Sequence, residues 1–149
     1  MKKIIIVSVI VFLVLAIALS LVVLAIMPKT YSSAQKSTKR FLDRNSDELT
    51  EIANDAISGG REVSGYYKDR YYSYTPTQNY VEFNIDAQGF LGGQYWSLVY
   101  TPDGMFHGET QELLKKETNG GNNILRATRI DEHWWFTWID YDGTERSYK

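Results

Sequence analysis

The chain has 149 residues, a formal net charge of -2 at pH 7, 44% hydrophobic side chains and no cysteine. The lack of cysteine excludes disulfides, cysteine-based zinc sites and a lipid anchor on Cys, and the mixing of acidic with basic residues argues against the concentrated basic face that nucleic-acid binding needs. About 120 residues follow Pro28, enough for one domain around one core and too few for two.

The first element in chain order is an apolar run from Ile4 to Met27, with Ser8 and Ser20 as its only polar residues. As a helix it would rise about 36 Å at ~1.5 Å per residue, against a hydrocarbon core of roughly 30 Å. The run predicts a transmembrane anchor over residues 1–28. Lys2 and Lys3 before it resemble the charged start of an export signal, but the run exceeds the ~7–15 residues usual for such a signal, which favours an uncleaved anchor. Cleavage after Ala34, at the small pair Ser32 and Ala34, is the rival. The flanking charges conflict over orientation. Lys29, Lys36, Lys39, Arg40 and Arg44 outnumber Lys2 and Lys3, which taken literally places the C-terminal domain in the cytoplasm. The signal-like start favours the reverse, a single-pass protein of the cell membrane with its C-terminal domain extracytoplasmic.

Residues 29–60 read as a helical connector and an amphipathic helix. Pro28 ends or kinks the membrane helix. Tyr31 to Arg44 then predicts a helix, separate or continuous with the first, whose Lys36, Lys39 and Arg40 are either solvated or laid against anionic head groups. Asn45 with Glu48 three residues on is a candidate capping box, and Asp47 and Glu48 suit the positive end of a helix dipole. Leu49, Ile52, Ala53, Ala56 and Ile57 then form one apolar stripe, which Gly59 and Gly60 end.

From Val63 the apolar period shortens to two, so residues 61–149 form the β-rich part of the same domain. Tyr66 to Tyr74 reads as one strand, followed by a turn at Pro76. Tyr80 to Asp86 sends Val81, Phe83 and Ile85 one way and Glu82, Asn84 and Asp86 the other. Gly89, Gly92 and Gly93 connect it to a strand at Tyr95 to Tyr100, with Trp96, Leu98 and Tyr100 on one side. Pro102-Asp103-Gly104 is a turn. Glu109 to Glu117 is a helical turn or an irregular excursion, and Asn119 to Asn123 is a loop. Ile124 to Ile130 and His133 to Ile139 form a hairpin across Asp131-Glu132, although Glu is ill suited to positive φ. Asp142-Gly143 is a last turn. The fold class expected is α+β: an N-terminal transmembrane helix, one or two soluble helices, then an antiparallel β-meander of four to five strands. The helix stripe would pack on one sheet face, as in cystatin-like folds.

The chemical inventory is thin. Trp134, Phe136 and Trp138 share one face of the last strand, and Trp135 shares the other with His133, Thr137 and Ile139. An outward Trp135 serves either as a platform for a sugar ring or peptide or as a support beneath a loop. The tyrosines Tyr66, Tyr67, Tyr71, Tyr72 and Tyr74 carry the same ambiguity. Trp135, Tyr67 and Tyr71 are the candidate binding residues. His107 and His133 lie in separate loops and do not specify a zinc site. Asp140 to Gly143 opens like a calcium loop, but no Glu follows at its twelfth position. No catalytic motif is present, so no enzyme activity, cofactor or metal is expected.

Three stretches, Tyr80-Val-Glu-Phe, Tyr95 to Gly104, and Ile130-Asp-Glu-His-Trp-Trp-Phe, resemble an uncharacterised family of small single-span membrane proteins of low-GC Gram-positive bacteria. The likeness covers about Tyr80 to Ile139; Glu132 and His133 depart from the family's D-N-W pattern at the hairpin. The resemblance implies a single N-terminal span and an exported domain, and transfers no catalytic residue. The plan also echoes a type IV pilin, but Ile4 to Met27 lacks the Glu that pilins carry there. The expected function is a non-enzymatic, membrane-anchored envelope protein whose extracytoplasmic domain binds a protein partner. The alternative is a module for cell-wall glycan using exposed Tyr and Trp. The lipid bilayer is an expected partner and nucleic acid is not.

Overall fold

The structure, a computed structural model, describes residues 10–20, 29–88, 93–108 and 123–141. Residues 10–20 are helical (α1) and exposed throughout. They are the described middle of the apolar run, whose two ends lie outside the described residues. Among the described residues, no helix is long and apolar enough to cross a membrane.

The second helix, α2, runs unbroken over Tyr31–Ser58, 28 residues. Thr30 caps it: its side chain accepts a hydrogen bond from the Ser33 amide at 3.2 Å, which satisfies one of the orphan N–H groups of the first turn. The helix boundary expected at Asn45 is absent. Asn45 lies mid-helix and is 9% exposed. Its Nδ2 donates to the Phe41 carbonyl at 2.6 Å, and its Oδ1 accepts from Lys68 Nζ at 2.6 Å. The side chain is occupied by tertiary partners, and no Pro or Gly interrupts residues 31–58. The buried stripe Ala34, Thr38, Leu42, Asn45, Leu49, Ala53 and Ala56 passes through the expected boundary at steps of three and four. Gly59 and Gly60 stop the helix as expected, Gly60 with φ of 62° and its amide bonded to the Ile57 carbonyl at 3.1 Å.

Six strands follow in one antiparallel sheet: β1 (Val63–Tyr67), β2 (Arg70–Tyr74), β3 (Val81–Gln88), β4 (Gln94–Tyr100), β5 (Ile124–Arg129) and β6 (Trp134–Asp140). Their spatial order is β1-β2-β3-β4-β6-β5. This corrects the four-to-five-strand meander twice. The stretch Tyr66 to Tyr74 is a hairpin rather than one strand, turning on Lys68 and Asp69 at φ of 45° and 65°, a two-residue turn of the kind usually made by Asn-Gly. The last two strands are also exchanged, so β6 pairs with both β4 and β5. Burial accounts for the exchange. Trp134, Phe136 and Trp138 need neighbours on both sides, whereas β5 carries Arg126 and Arg129, which suit an edge.

Two local details depart from simple alternation. Between Asn84 and Asp86 the register of β3 shifts by a bulge. Asp86 therefore pairs with Trp96 and turns to the helix side, where it meets Lys29 Nζ at 2.8 Å, and not outward beside Glu82. The Ile85 carbonyl at the bulge accepts from the Arg70 guanidinium. The β5–β6 turn is centred on Glu132-His133, one residue later than expected. Trp134 N donates to Asp131 O, and Trp134 O accepts from both the Ile130 and Asp131 amides. That bulged turn avoids the positive φ that Glu resists.

The core lies between α2 and the inner sheet face. Val81, Phe83 and Ile85 face the helix as expected, with Trp96, Leu98, Tyr100, Trp134, Phe136 and Trp138 beside them. Trp96 and Trp138 stack at 5.2 Å between centroids, and Tyr31 of α2 sits edge-on to Phe136 at 5.3 Å. Such pairs add to the area term for burying large rings.

Candidate functional site: the outer sheet face

Alternation that buries one sheet face assigns the other to whatever covers it. Glu82 of β3, Val99 of β4, Leu125 of β5, and Thr137 and Ile139 of β6 point away from α2 and floor an open cleft of about 610 Å³. One wall is Thr77, Gln78 and Tyr80. It is shaped by a turn in which the Gln78 amide donates to the Thr75 carbonyl at 2.9 Å, and by Asn79 at φ of 53°. A second wall is Phe106, His107 and Gly108.

The second wall is held in place from below. Gly104, at φ of 70°, closes the Pro102-Asp103 turn with its amide 3.1 Å from the Thr101 carbonyl. A Cβ there would stand 2.8 Å from the Glu132 carbonyl oxygen, so glycine is required both by dihedral and by space. Asp103 accepts from the Met105 amide at 2.9 Å and contacts His107 Nε2 at 2.6 Å. The hydrogen bond to His107, and then that from the Met105 amide, hold the Asp103 carboxyl below its usual range. Trp135 Nε1 donates to the Gly104 carbonyl at 3.2 Å, and its ring lies 5.3 Å from that of Phe106.

The three candidate residues are therefore not assembled into one site. Trp135 is on the outer face, as expected, but half-buried beneath the 101–108 loop. Tyr67 faces the helix: its hydroxyl hydrogen-bonds the Asn45 side chain and the Glu48 carboxylate, and its ring lies 6.4 Å from Phe41. Tyr71 is exposed on the outer face, edge-to-face with its cross-strand partner Tyr66 at 5.6 Å. Of the three, only Trp135 serves the cleft, by supporting Phe106.

Sequence reasoning missed Glu82, Tyr80, Phe106 and His107. A signal existed for Glu82: it is a carboxylate between two apolar residues of a strand, and its cross-strand neighbours Ser73 and Val99 are uncharged. No hydrogen bond or ion pair engages the Glu82 side chain among the described residues. Among the described lining residues there is one carboxylate, Glu82, where glycoside hydrolysis uses two facing each other. Among the described residues His107 is bonded to Asp103 and to no hydroxyl nucleophile, and no group of three or more His, Asp or Glu is placed to hold a metal ion. The arrangement can bind, with a floor of mixed polarity, an aromatic ring in each wall and, among the described residues, one negative charge.

Comparison with protein-family models, with curated proteins and with solved structures gives no match.

Proposed function

We propose that this chain is a non-enzymatic, membrane-anchored envelope protein whose extracytoplasmic domain binds a segment of a protein partner in the outer-face cleft, a basic side chain of that segment meeting Glu82. The observation that carries the binding reading is the Glu82 carboxylate, unpaired among the described residues, at the floor of an open cleft lined by Tyr80 and Phe106. A half-buried carboxylate without a partner is costly to desolvate further. An occupant that covers it must therefore supply the missing cation, and aromatic rings nearby favour an ammonium or guanidinium. The anchor is supported by the uncharged run Ile4 to Met27 and by α1, whose Ile10, Phe12 and Leu19 are all exposed, as suits a helix that is apolar on every side.

The glycan alternative needs a flat row of rings. The exposed tyrosines Tyr66 and Tyr71 meet at 68° instead, and Trp135 is engaged with the loop above it, so the peptide reading is favoured.

The test is a titration of the full-length chain in detergent micelles with a short lysine-bearing peptide, followed by NMR. Shifts confined to Glu82, Thr137, Ile139 and Leu125, and lost when the lysine is acetylated, support the reading. Identical shifts with the acetylated peptide remove the role of charge, and no shifts in the cleft with either peptide contradict cleft binding.

A further inference from the structure

We propose that the strand ends carrying Tyr95 and Tyr141 rest in the head-group layer of the bilayer, so that the domain is seated on the membrane surface and does not swing from a tether. The inference rests on the anchor reading above, and not on what the cleft binds.

The first observation is the shortness of the link. Only Pro28 and Lys29 separate the apolar run from Thr30, the cap of α2. Three steps of about 3.8 Å between α-carbons span at most about 11 Å. The polar layer of a bilayer is itself roughly 5–7 Å deep on each side, so the base of α2 cannot leave the interface by more than a few Å.

The second observation is that this base is tied to one end of the sheet. Lys29 Nζ lies 2.8 Å from Asp86 Oδ2 and 5.0 Å above the Trp96 ring. The link is therefore clasped to the end of β3 and the start of β4. The register places Ala87 opposite Tyr95, Gln94 opposite Asp140, and Tyr95 opposite Ile139. The Tyr141 amide donates to the Gly93 carbonyl at 3.4 Å, which keeps Tyr141 at the same end.

The third observation is what that end exposes. Tyr95 and Tyr141 are 44% and 38% exposed, and their rings stand edge-to-face at 5.6 Å. Tyrosine rings are among the side chains that partition to the membrane interface, apolar body inward and polar tip toward water. Both rings stand at the end of the sheet that Lys29 clasps. At a head-group layer they are where that layer would find them.

The absence of cysteine makes a single-site label unambiguous. The full chain would be reconstituted in vesicles of phosphatidylcholine and phosphatidylglycerol, with a fluorophore on Tyr95→Cys, on Tyr141→Cys or, at the far end of β4, on Met105→Cys. Lipids spin-labelled on the head group serve as quencher. The labels on Tyr95→Cys and Tyr141→Cys should be quenched severalfold more than that on Met105→Cys; two separate reporters guard against one variant misfolding. Equal quenching at all three positions in a chain that floats with the vesicles overturns the seat and leaves the anchor standing. A chain that fails to float overturns both.

Discussion

Trp134 and Trp135 are adjacent in sequence and lie on opposite faces of β6. Trp134 is 5% exposed and packs 5.8 Å from Phe83 and 5.0 Å from Tyr100. Truncating a buried ring of this size typically costs about 3–5 kcal/mol. Phe83→Ala and Trp134→Ala should therefore lower the melting temperature of the solubilised chain strongly. Trp135→Ala should cost less and instead loosen the 101–108 loop, read as faster amide exchange at Met105. Two acidic residues add a pH dependence. Asp103 is held low by His107 and then by the Met105 amide, and Asp131 by the Glu132 amide and then by Lys39. A depressed folded pKa means that the stabilisation is present above the ordinary value of 3.8 and is lost as pH falls through the folded value. Acidification below pH 3.8 should release the Met105 and Glu132 amides before the core melts. Asp103→Asn should flatten the acid response at Met105 while leaving that at Glu132.

At the scale of elements, Asn45 and the Lys68-Asp69 turn decide what could be read in advance. Asn followed three residues later by Glu is a local signal for a helix start, and it competes with a longer one, the unbroken stripe from Ala34 to Ala56. The longer signal prevails because it buries a whole helix face. Asn45→Ser, harmless at a cap, should here destabilise, because Ser is too short to reach the Tyr67 hydroxyl and the Lys68 ammonium that Asn45 engages; guanidinium unfolding would measure this. The β1–β2 hairpin was hidden for the opposite reason. Lys-Asp carries none of the glycine that a turn at positive φ favours. Since Lys68 is retained by Asn45 and Glu48, the replaceable position is Asp69. Asp69→Gly should stabilise the chain by roughly 0.5 kcal/mol, relief of left-handed strain minus added chain entropy. The strands of the core were legible because Val81, Phe83, Ile85, Trp96, Leu98 and Tyr100 alternate cleanly. The exchange of β5 and β6 was not, since alternation specifies faces and leaves neighbours open. The cleft was illegible for a related reason: its walls come from the 75–80 turn and the 101–108 loop, and no spacing in the sequence brings these two segments to one cleft.

The whole molecule is a two-layer domain with unequal faces. One sheet face is closed by α2 and filled with stacked rings. Among the described residues the other holds the open cleft over β3, β4, β6 and β5, with the Glu82 side chain unpaired at its floor. In the proposed arrangement Lys29 binds the start of the domain to the strand ends, so the open face is presented at a fixed height above the bilayer. Orientation has its own check: protease added to protoplasts of the native host should digest the domain, whereas digestion only after lysis would show that the positive charges of 29–44 had kept it inside. The central claim, that the outer-face cleft of this anchored domain receives a basic segment of a protein, is tested most directly by photo-crosslinking in the native membrane. A photoreactive residue would replace Gln78 at the cleft wall or, as a control, Glu51 on the exposed side of α2. One discrete protein adduct is expected from position 78, absent from position 51 and weakened roughly tenfold, about 1.4 kcal/mol, by Glu82→Gln. A cleft that yields no protein adduct, or one indifferent to Glu82→Gln, would contradict it.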